Sequence, residues 1–376
     1  MTLDDLHRLT EIPGRCGYEN GAPGPDDSRC PVTPYRPRFV PSRLLDEARS
    51  GWFPRGIRHC LGCDLCSPRS EASFAACADA LLLAGGPREG FISRAFGGAL
   101  DACVSLQIKG EGEQRRLDWV TPDLRIAEDA REHGVALYVG CAPYYDALLA
   151  DEPGFSPSSE AHAAVRLLNA AGIEPVVLGD EVCCGADRLH AGDRDAFIAL
   201  GTRTRGLFKD REVKTIVTAC DDCRFTLGSR YPGRIPNWDF EVVRLAEYLL
   251  DHTDKLRFAT APGAVVIQPA SRYCDPNGID PVSKLLGRLP ELNVLRFEKG
   301  HPATFGGWGQ FDAVSKRMET ALLRSAEKTG APTLLVPSTR MLVRLREGRR
   351  TGSWEETSIA VTGLYGFLAD RLERIE

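Results

Sequence analysis

From about residue 135 onward, short apolar or β-branched runs alternate with amphipathic stretches. Val135–Val139, Pro175–Leu178 and Thr215–Thr218 read as strands. Glu160–Ala171 and Asp195–Phe208 between them read as helices, and Phe240–Leu250 as another. Strands alternating with helices predict an α/β fold, a parallel sheet with helices packed on its faces. A weaker copy of the same texture follows, with strands at Ala264–Ile267 and Thr333–Val336 and a Gly-rich turn at Phe305-Gly-Gly-Trp-Gly309. Ahead of both copies the chain is rich in Gly, Pro and Asp up to about Pro41. It then turns helical in pattern, as at Ser70–Leu83 and Pro122–His133. Three domains are expected: 1–133, 134–256 and 257–376.

Composition narrows the functional classes. The N-terminal MTLDDLHRLTEIPGR has charged residues and no apolar core, so no secretory signal is expected. No stretch approaches the roughly 18 uninterrupted apolar residues of a membrane span. A net charge of −5 argues against a nucleic-acid binder. The arginines dense between Arg36 and Arg58 read as a solvated face, or as a docking surface for an acidic electron-transfer partner. Thirteen cysteines in closely spaced sets, in an apparently intracellular chain, read as metal ligands rather than disulfides.

Five of these cysteines make one broken motif: Cys141, the pair Cys183-Cys184 followed by Gly185, and Cys220-Asp-Asp-Cys223. Each element follows directly on a predicted strand, where open α/β sheets place their sites. Adjacent side chains diverge, so Cys183 and Cys184 do not easily bind one metal ion, but they can hold different irons of one cluster. Five thiolates also exceed the four that a tetrahedral zinc or an ordinary cubane accepts. The pattern points to an unusual iron–sulfur centre, against the alternative of buried apolar cysteines.

A second set lies near the N-terminus. Cys60-Leu-Gly-Cys63-Asp-Leu-Cys66 is C-x-x-C-x-x-C, the first three ligands of a bacterial ferredoxin motif, with Ser70 where the fourth is expected. In two-cluster ferredoxins the fourth cysteine of a run ligates the other cluster, so the missing ligand is sought in an upstream C-P element. Cys30-Pro31 is one, which predicts a cubane [4Fe-4S] cluster on Cys30, Cys60, Cys63 and Cys66. Cys77 is the rival fourth ligand. Cys103, in an apolar helical stretch, reads as core; Cys16 and Cys274 are ambiguous. His190, six residues after Cys184, is a candidate proton donor, and His301 precedes the Gly-rich turn. No G-x-G-x-x-G follows a strand, so a nucleotide or flavin is expected on a partner.

The elements GCAPYY, DEVCCGA and TACDDCRFTL resemble the cysteine-rich CCG domain of the heterodisulfide reductase catalytic subunit and related respiratory iron–sulfur subunits. The 35 residues between Cys184 and Cys220 fit that family, and the 41 between Cys141 and Cys183 run slightly long. The resemblance implies a ferredoxin-like module, an intact CCG domain and a degenerate one, the last two related by a pseudo-twofold. It implies that Cys141, Cys183, Cys184, Cys220 and Cys223 ligate a non-cubane [4Fe-4S] cluster, and that this cluster-borne set is the catalytic site, where a disulfide or related sulfur substrate is cleaved one electron at a time. In the second copy Gln268-Pro-Ala270 falls near the place of Cys141, and Thr304-Phe305-Gly306 at that of Cys183-Cys184-Gly185. Ser338 and Met341 replace Cys220 and Cys223, so this half is expected to hold no metal. Its turn Gly306-Gly307-Trp308-Gly309 is expected to form part of the site wall, to face a partner, or to fill the space of a lost cluster.

The implied setting is a cytoplasmic hetero-oligomeric complex, at most peripheral to a membrane. A flavoprotein, a ferredoxin-like protein or a membrane quinone or cytochrome subunit would be its redox partner. Two other readings stand beside this one. The first is an electron conduit with no substrate of its own. The second is structural zinc, which the five-cysteine set disfavours.

Overall fold

The computed structural model describes residues 27, 30, 33, 38–50, 56–57, 60, 74–84, 98–110, 114–149, 155–268, 281–297, 312–350 and 357–373. Three helices come first: α1 (Pro41–Arg49), α2 (Phe74–Ala84) and α3 (Ala99–Lys109). The first sheet is built from β1 (Val135–Tyr138), β2 (Thr215–Thr218) and β3 (Glu241–Arg244), all parallel in the order β1-β2-β3. Between β1 and β2 run α4 (Ala142–Leu148), α5 (Ser158–Ala170), α6 (Ala186–Ala191) and α7 (Arg194–Lys209). The short α8 (Asp221–Phe225) follows β2, and α9 (Leu245–Leu250) follows β3 without a loop. The chain is mixed α/β with parallel sheets.

The second sheet comprises β4 (Gly263–Ile267), β5 (Leu292–Leu295), β6 (Thr333–Val336) and β7 (Ala360–Gly363), parallel throughout in the order β5-β4-β6-β7. Its helices are α10 (Pro281–Leu286), α11 (Asp312–Lys328), α12 (Thr339–Arg350) and α13 (Leu364–Ala369). Val176 forms a parallel bridge on the free edge of β1, so the first sheet extends there as the second does with β5. Strand order therefore agrees between the halves, and in each the last strand runs straight into a short helix. These helices cross over. The α9 helix packs on α10 of the other half, and α13 packs on α5. Leu167, Leu168, Leu245, Leu249, Leu285, Leu286, Leu364 and Leu368 are all fully buried in the core this exchange creates. Each such leucine contributes about 2 kcal/mol by leaving water, so the two sheets share one core.

Four predicted elements shift. Pro122–His133 forms turns rather than a helix, because Ala127 N donates to Pro175 O at 3.1 Å and ties the segment to the sheet edge. Pro175–Leu178 is an isolated bridge at Val176, not a strand. Phe240–Leu250 divides: Val242 and Val243 pair with Ile216 and Val217 as β3, and only Leu245–Leu250 is helical. β-Branched side chains fit a pleated surface better than a helix, and an open edge of β2 was available. Ser70–Leu83 is helical from Phe74 to Ala84. The Thr215–Thr218 and Thr333–Val336 strands stand as predicted.

Glu160 locks the crossover. Its carboxylate is buried and accepts hydrogen bonds from Tyr365 N and Gly366 N, both 3.0 Å, at the start of α13. These N–H groups have no partner within the helix. Gly363 lies so near that a Cβ there would overlap the carboxylate. Burial pushes the Glu160 pKa up to about 7, against the opposing pull of the two N–H bonds. In the unfolded chain a glutamate titrates near ~4.3. The native state therefore binds the proton more tightly, and its contribution is complete below about pH 4 and lost as pH rises through about 7. Glu160→Gln mimics the protonated acid. Between pH 4.5 and pH 8 its stability relative to wild type is expected to improve by about 3 kcal/mol. Urea midpoints at the two pH values check this, and parallel curves for both proteins would refute it.

Candidate metal centre

Three turns carry the five cysteines: two lie at the carboxyl ends of the neighbouring strands β1 and β2, and the third follows the bridge at Val176 on the edge of β1. Cys141 precedes α4 after β1, with Pro143 in the helix's first turn. Gly140 has φ +69, and a Cβ there would stand 3.1 Å from Cys223 Sγ, so glycine lets that sulfur approach the backbone. Cys183 and Cys184 precede Gly185, which starts α6 with φ +74. Cys220 follows β2 at the start of α8, and Cys223 sits one turn on.

The five thiols form an unbroken chain of contacts. Cys141 Sγ lies 3.6 Å from Cys183 Sγ, and Gly185 N donates to Cys183 Sγ at 3.4 Å. Cys183 contacts Cys184, Cys184 contacts Cys223, and Cys223 contacts Cys220. All but Cys141 are buried. Hydrogen bonds from Cys141 and Cys184 hold the Cys183 thiol well below the ordinary range, and the bond from Cys223 lowers Cys220. Donating those bonds, followed by burial, pushes Cys141, Cys184 and Cys223 well up. Five thiolates this close together and largely out of water would repel one another, and cationic iron offsets that repulsion, since thiolate is the form that binds metal. The donor set fits a multi-iron cluster. Among the described residues, no group of three or more His, Cys, Asp or Glu side chains is arranged for a single metal ion.

A buried polar frame, missed in the sequence, holds the turns. Glu181 accepts from Val139 N at 3.0 Å and Gly140 N at 2.7 Å, and pairs with Arg116 at 2.9 Å. Arg116 also donates to Gly140 O. Burial pushes the Glu181 pKa up to about 7, opposed by Arg116 and both N–H groups. Gln107 of α3 accepts from Cys183 N at 2.9 Å. Tyr138 OH donates to Val182 O at 2.6 Å, and Tyr231 OH to Cys184 O at 2.8 Å. The acidic residue two places before Cys183 was a visible signal, because a carboxylate in an apolar stretch needs a partner. Nothing in the sequence marked Arg116 or Gln107.

Residues 135–228 match the family described as the cysteine-rich domain, CCG. Over those residues the chain is similar to that family. Cys141, Cys183, Cys184, Cys220 and Cys223 all fall within the matched residues. Outside them, similarity reaches further. The chain is 25% identical over 201 residues to a subunit of the dihydromethanophenazine:CoB–CoM heterodisulfide reductase of Methanosarcina acetivorans, which covers 50% of this chain and 45% of that one. It is 33% identical over 88 residues to an iron–sulfur protein of Methanocaldococcus jannaschii, covering 23% and 17%. It is 28% identical over 229 residues to the EtfAB:quinone oxidoreductase of Syntrophomonas wolfei, covering 58% and 30%. The matched part thus spans less than half the length of these relatives. A crystal structure of a hypothetical protein from Helicobacter pylori shares the fold, with TM-score 0.50 and 10% identity over 97% of this chain and 72% of that one.

Cys30 and Cys60 are buried, as is Cys77 on α2, so burial favours neither candidate for fourth ligand. Cys103 is half-buried on α3, where burial raises its thiol pKa. His190 is buried on α6. Ser338 and Met341 are buried after β6, at the positions that Cys220 and Cys223 hold after β2. Cys16, Cys63, Cys66, Ser70, Ala270, Cys274, His301, Thr304, Phe305 and the turn through Trp308 to Gly309 lie outside the described residues. The α2 helix docks on the CCG domain through a buried ion pair between Asp79 and Arg230, and Leu83 enters its core.

Proposed function

We propose that this chain is an iron–sulfur redox subunit. Cys141, Cys183, Cys184, Cys220 and Cys223 would hold a non-cubane [4Fe-4S] centre that acts on a disulfide or related sulfur substrate. Cys30, Cys60, Cys63 and Cys66 would hold a cubane cluster that links it to a partner. The observation that carries this reading is the unbroken chain of four contacts joining five sulfurs beside the ends of β1 and β2. When bound, such a centre supplies single electrons and a soft iron site for sulfur. The protein's part is to fix the sulfurs through Glu181, Gln107, Tyr138 and Tyr231, and to keep bulk water from the four buried thiols. The second half, with Ser338 and Met341 in place of ligand cysteines, would carry no metal. Domain limits near residues 133 and 256 follow from the same reading.

Similarity to one component of a heterodisulfide reductase supports a hetero-oligomeric setting. Among the described residues no helix is long and apolar enough to cross a membrane. Anaerobically purified protein is expected to contain about eight irons with matching sulfide. A paired Cys183→Ala and Cys184→Ala substitution should lower this to about four. A zinc-only protein, or an unchanged count in the variant, would sink the assignment. Cys30→Ala should abolish the cubane signal and Cys77→Ala should leave it; the reverse moves the fourth ligand to Cys77.

One observation favours the electron conduit. The crevice at Cys183, lined by Leu100, Val104, Gly185, Asp187 and Arg188, has a volume of about 10 Å³, room for about one water. The similarity to a quinone oxidoreductase points the same way. EPR spectra with and without an added alkyl disulfide separate the two readings, because a conduit has no reason to respond.

A further inference from the structure

Among the described residues, the second half reaches the five-cysteine centre through the segment at the start of α12. β6 ends at Val336 and α12 starts at Thr339, just as β2 ends at Thr218 and α8 starts at Asp221. Ser338 Oγ donates to Cys220 Sγ at 3.8 Å, and Thr339 N donates to Ala219 O at 3.2 Å. Arg340 is only 7% exposed. Its Nη2 meets Asp187 Oδ1 at 2.6 Å, and its Nε lies 3.7 Å from Asp222 Oδ2. Asp187 stands two residues after Gly185, and Asp222 lies between Cys220 and Cys223. One buried guanidinium therefore ties together the two turns that carry four of the five sulfurs.

An all-thiolate cluster is negative, and reduction makes it more so. A fixed cation and a hydrogen-bond donor on a ligand sulfur both stabilise the reduced state, and both raise the potential. In low dielectric these effects reach further than in water.

We propose that Ser338, Thr339 and Arg340 form a tuning segment, through which the second half raises the reduction potential of the five-cysteine centre in the other half. The inference rests on the iron–sulfur reading of those cysteines. Ser338 and Arg340 act as positioning and electrostatic residues, and Thr339 anchors the segment by its backbone. This gives the second half a role after the loss of its own ligands.

The test uses the full chain, purified anaerobically, with iron content and EPR-monitored redox titration as readouts. Arg340→Gln and Asp187→Asn break the same ion pair but change the local charge in opposite directions. Arg340→Gln is expected to lower the equilibrium constant for one-electron reduction about tenfold, a shift of ~59 mV to lower potential. Asp187→Asn is expected to shift it upward, Ser338→Ala downward by less, and Arg340→Lys to stay near wild type. Shifts of the same sign in Arg340→Gln and Asp187→Asn, or none in either at full iron content, would overturn the proposal. Should Arg340→Gln lose its iron, Ser338→Ala and Asp187→Asn decide by the same signs. Wild-type protein without iron would overturn the iron–sulfur reading itself, a result the metal analysis reports separately.

Discussion

Glu181→Ala is expected to cost about 3–5 kcal/mol of stability and to empty the five-cysteine centre of iron. The carboxylate answers three donors at once: Val139 N, Gly140 N and the Arg116 guanidinium. The side chains of Arg116 and Glu181 are each only 1% exposed, so removing one partner strands a charge that water cannot reach. Two backbone N–H groups beside Cys141 would also lose their acceptor. Replacing both charges, as Arg116→Met with Glu181→Leu, should recover much of the stability, since a buried ion pair is often no better than apolar packing. It should not recover the iron, because the Cys141 turn would still lack its anchor. Urea denaturation and metal analysis of the two variants check both parts. Full iron in Glu181→Ala would show that the Cys141 turn holds its shape without the carboxylate.

Gly185→Ala is expected to destabilise the protein by about 2–4 kcal/mol and to lower iron loading at the five-cysteine centre. The residue has φ +74, a left-handed conformation that costs other L-residues ~1–2 kcal/mol. A Cβ would also stand 3.2 Å from both Leu200 Cδ1 and Phe197 Cδ2, two fully buried side chains of α7. The strain would pass directly to Cys183, whose sulfur accepts the Gly185 N–H. Gly206 is the control. It lies within α7, and no atom stands within 4 Å of the site of its Cβ. Gly206→Ala should raise stability by about 0.5–1 kcal/mol. Thermal melts with iron analysis compare the two, and equal effects would contradict the conformational argument.

The glycine and the sulfurs were legible early because each answers to a local rule. Adjacent cysteines followed by glycine specify a turn, and Cys141 and Cys220 follow apolar runs that form strands. The parallel α/β class followed from the alternation itself, and Thr215–Thr218 and Thr333–Val336 kept their bounds. Local rules failed at Phe240–Leu250, where pairing with β2 drew Val242 and Val243 into a strand. They failed again at Pro122–His133, where Ala127 bonds to the sheet edge instead of its own turn. A β-bridge depends on what lies alongside, and no run of neighbours in sequence states that.

The sequence alone determined the class of fold and the grouping of the five cysteines, because residue type and short-range spacing carry both. Tertiary structure decided what surrounds the sulfurs. Arg116 and Gln107 reach the site from before the CCG domain, across 65 and 76 residues from their partners Glu181 and Cys183. Arg340 comes from beyond the domain, 153 residues from Asp187, and Glu160 caps a helix 205 residues away. Buried polar groups must find partners wherever the fold supplies them. That requirement acts through space, so only the folded chain shows how it is met.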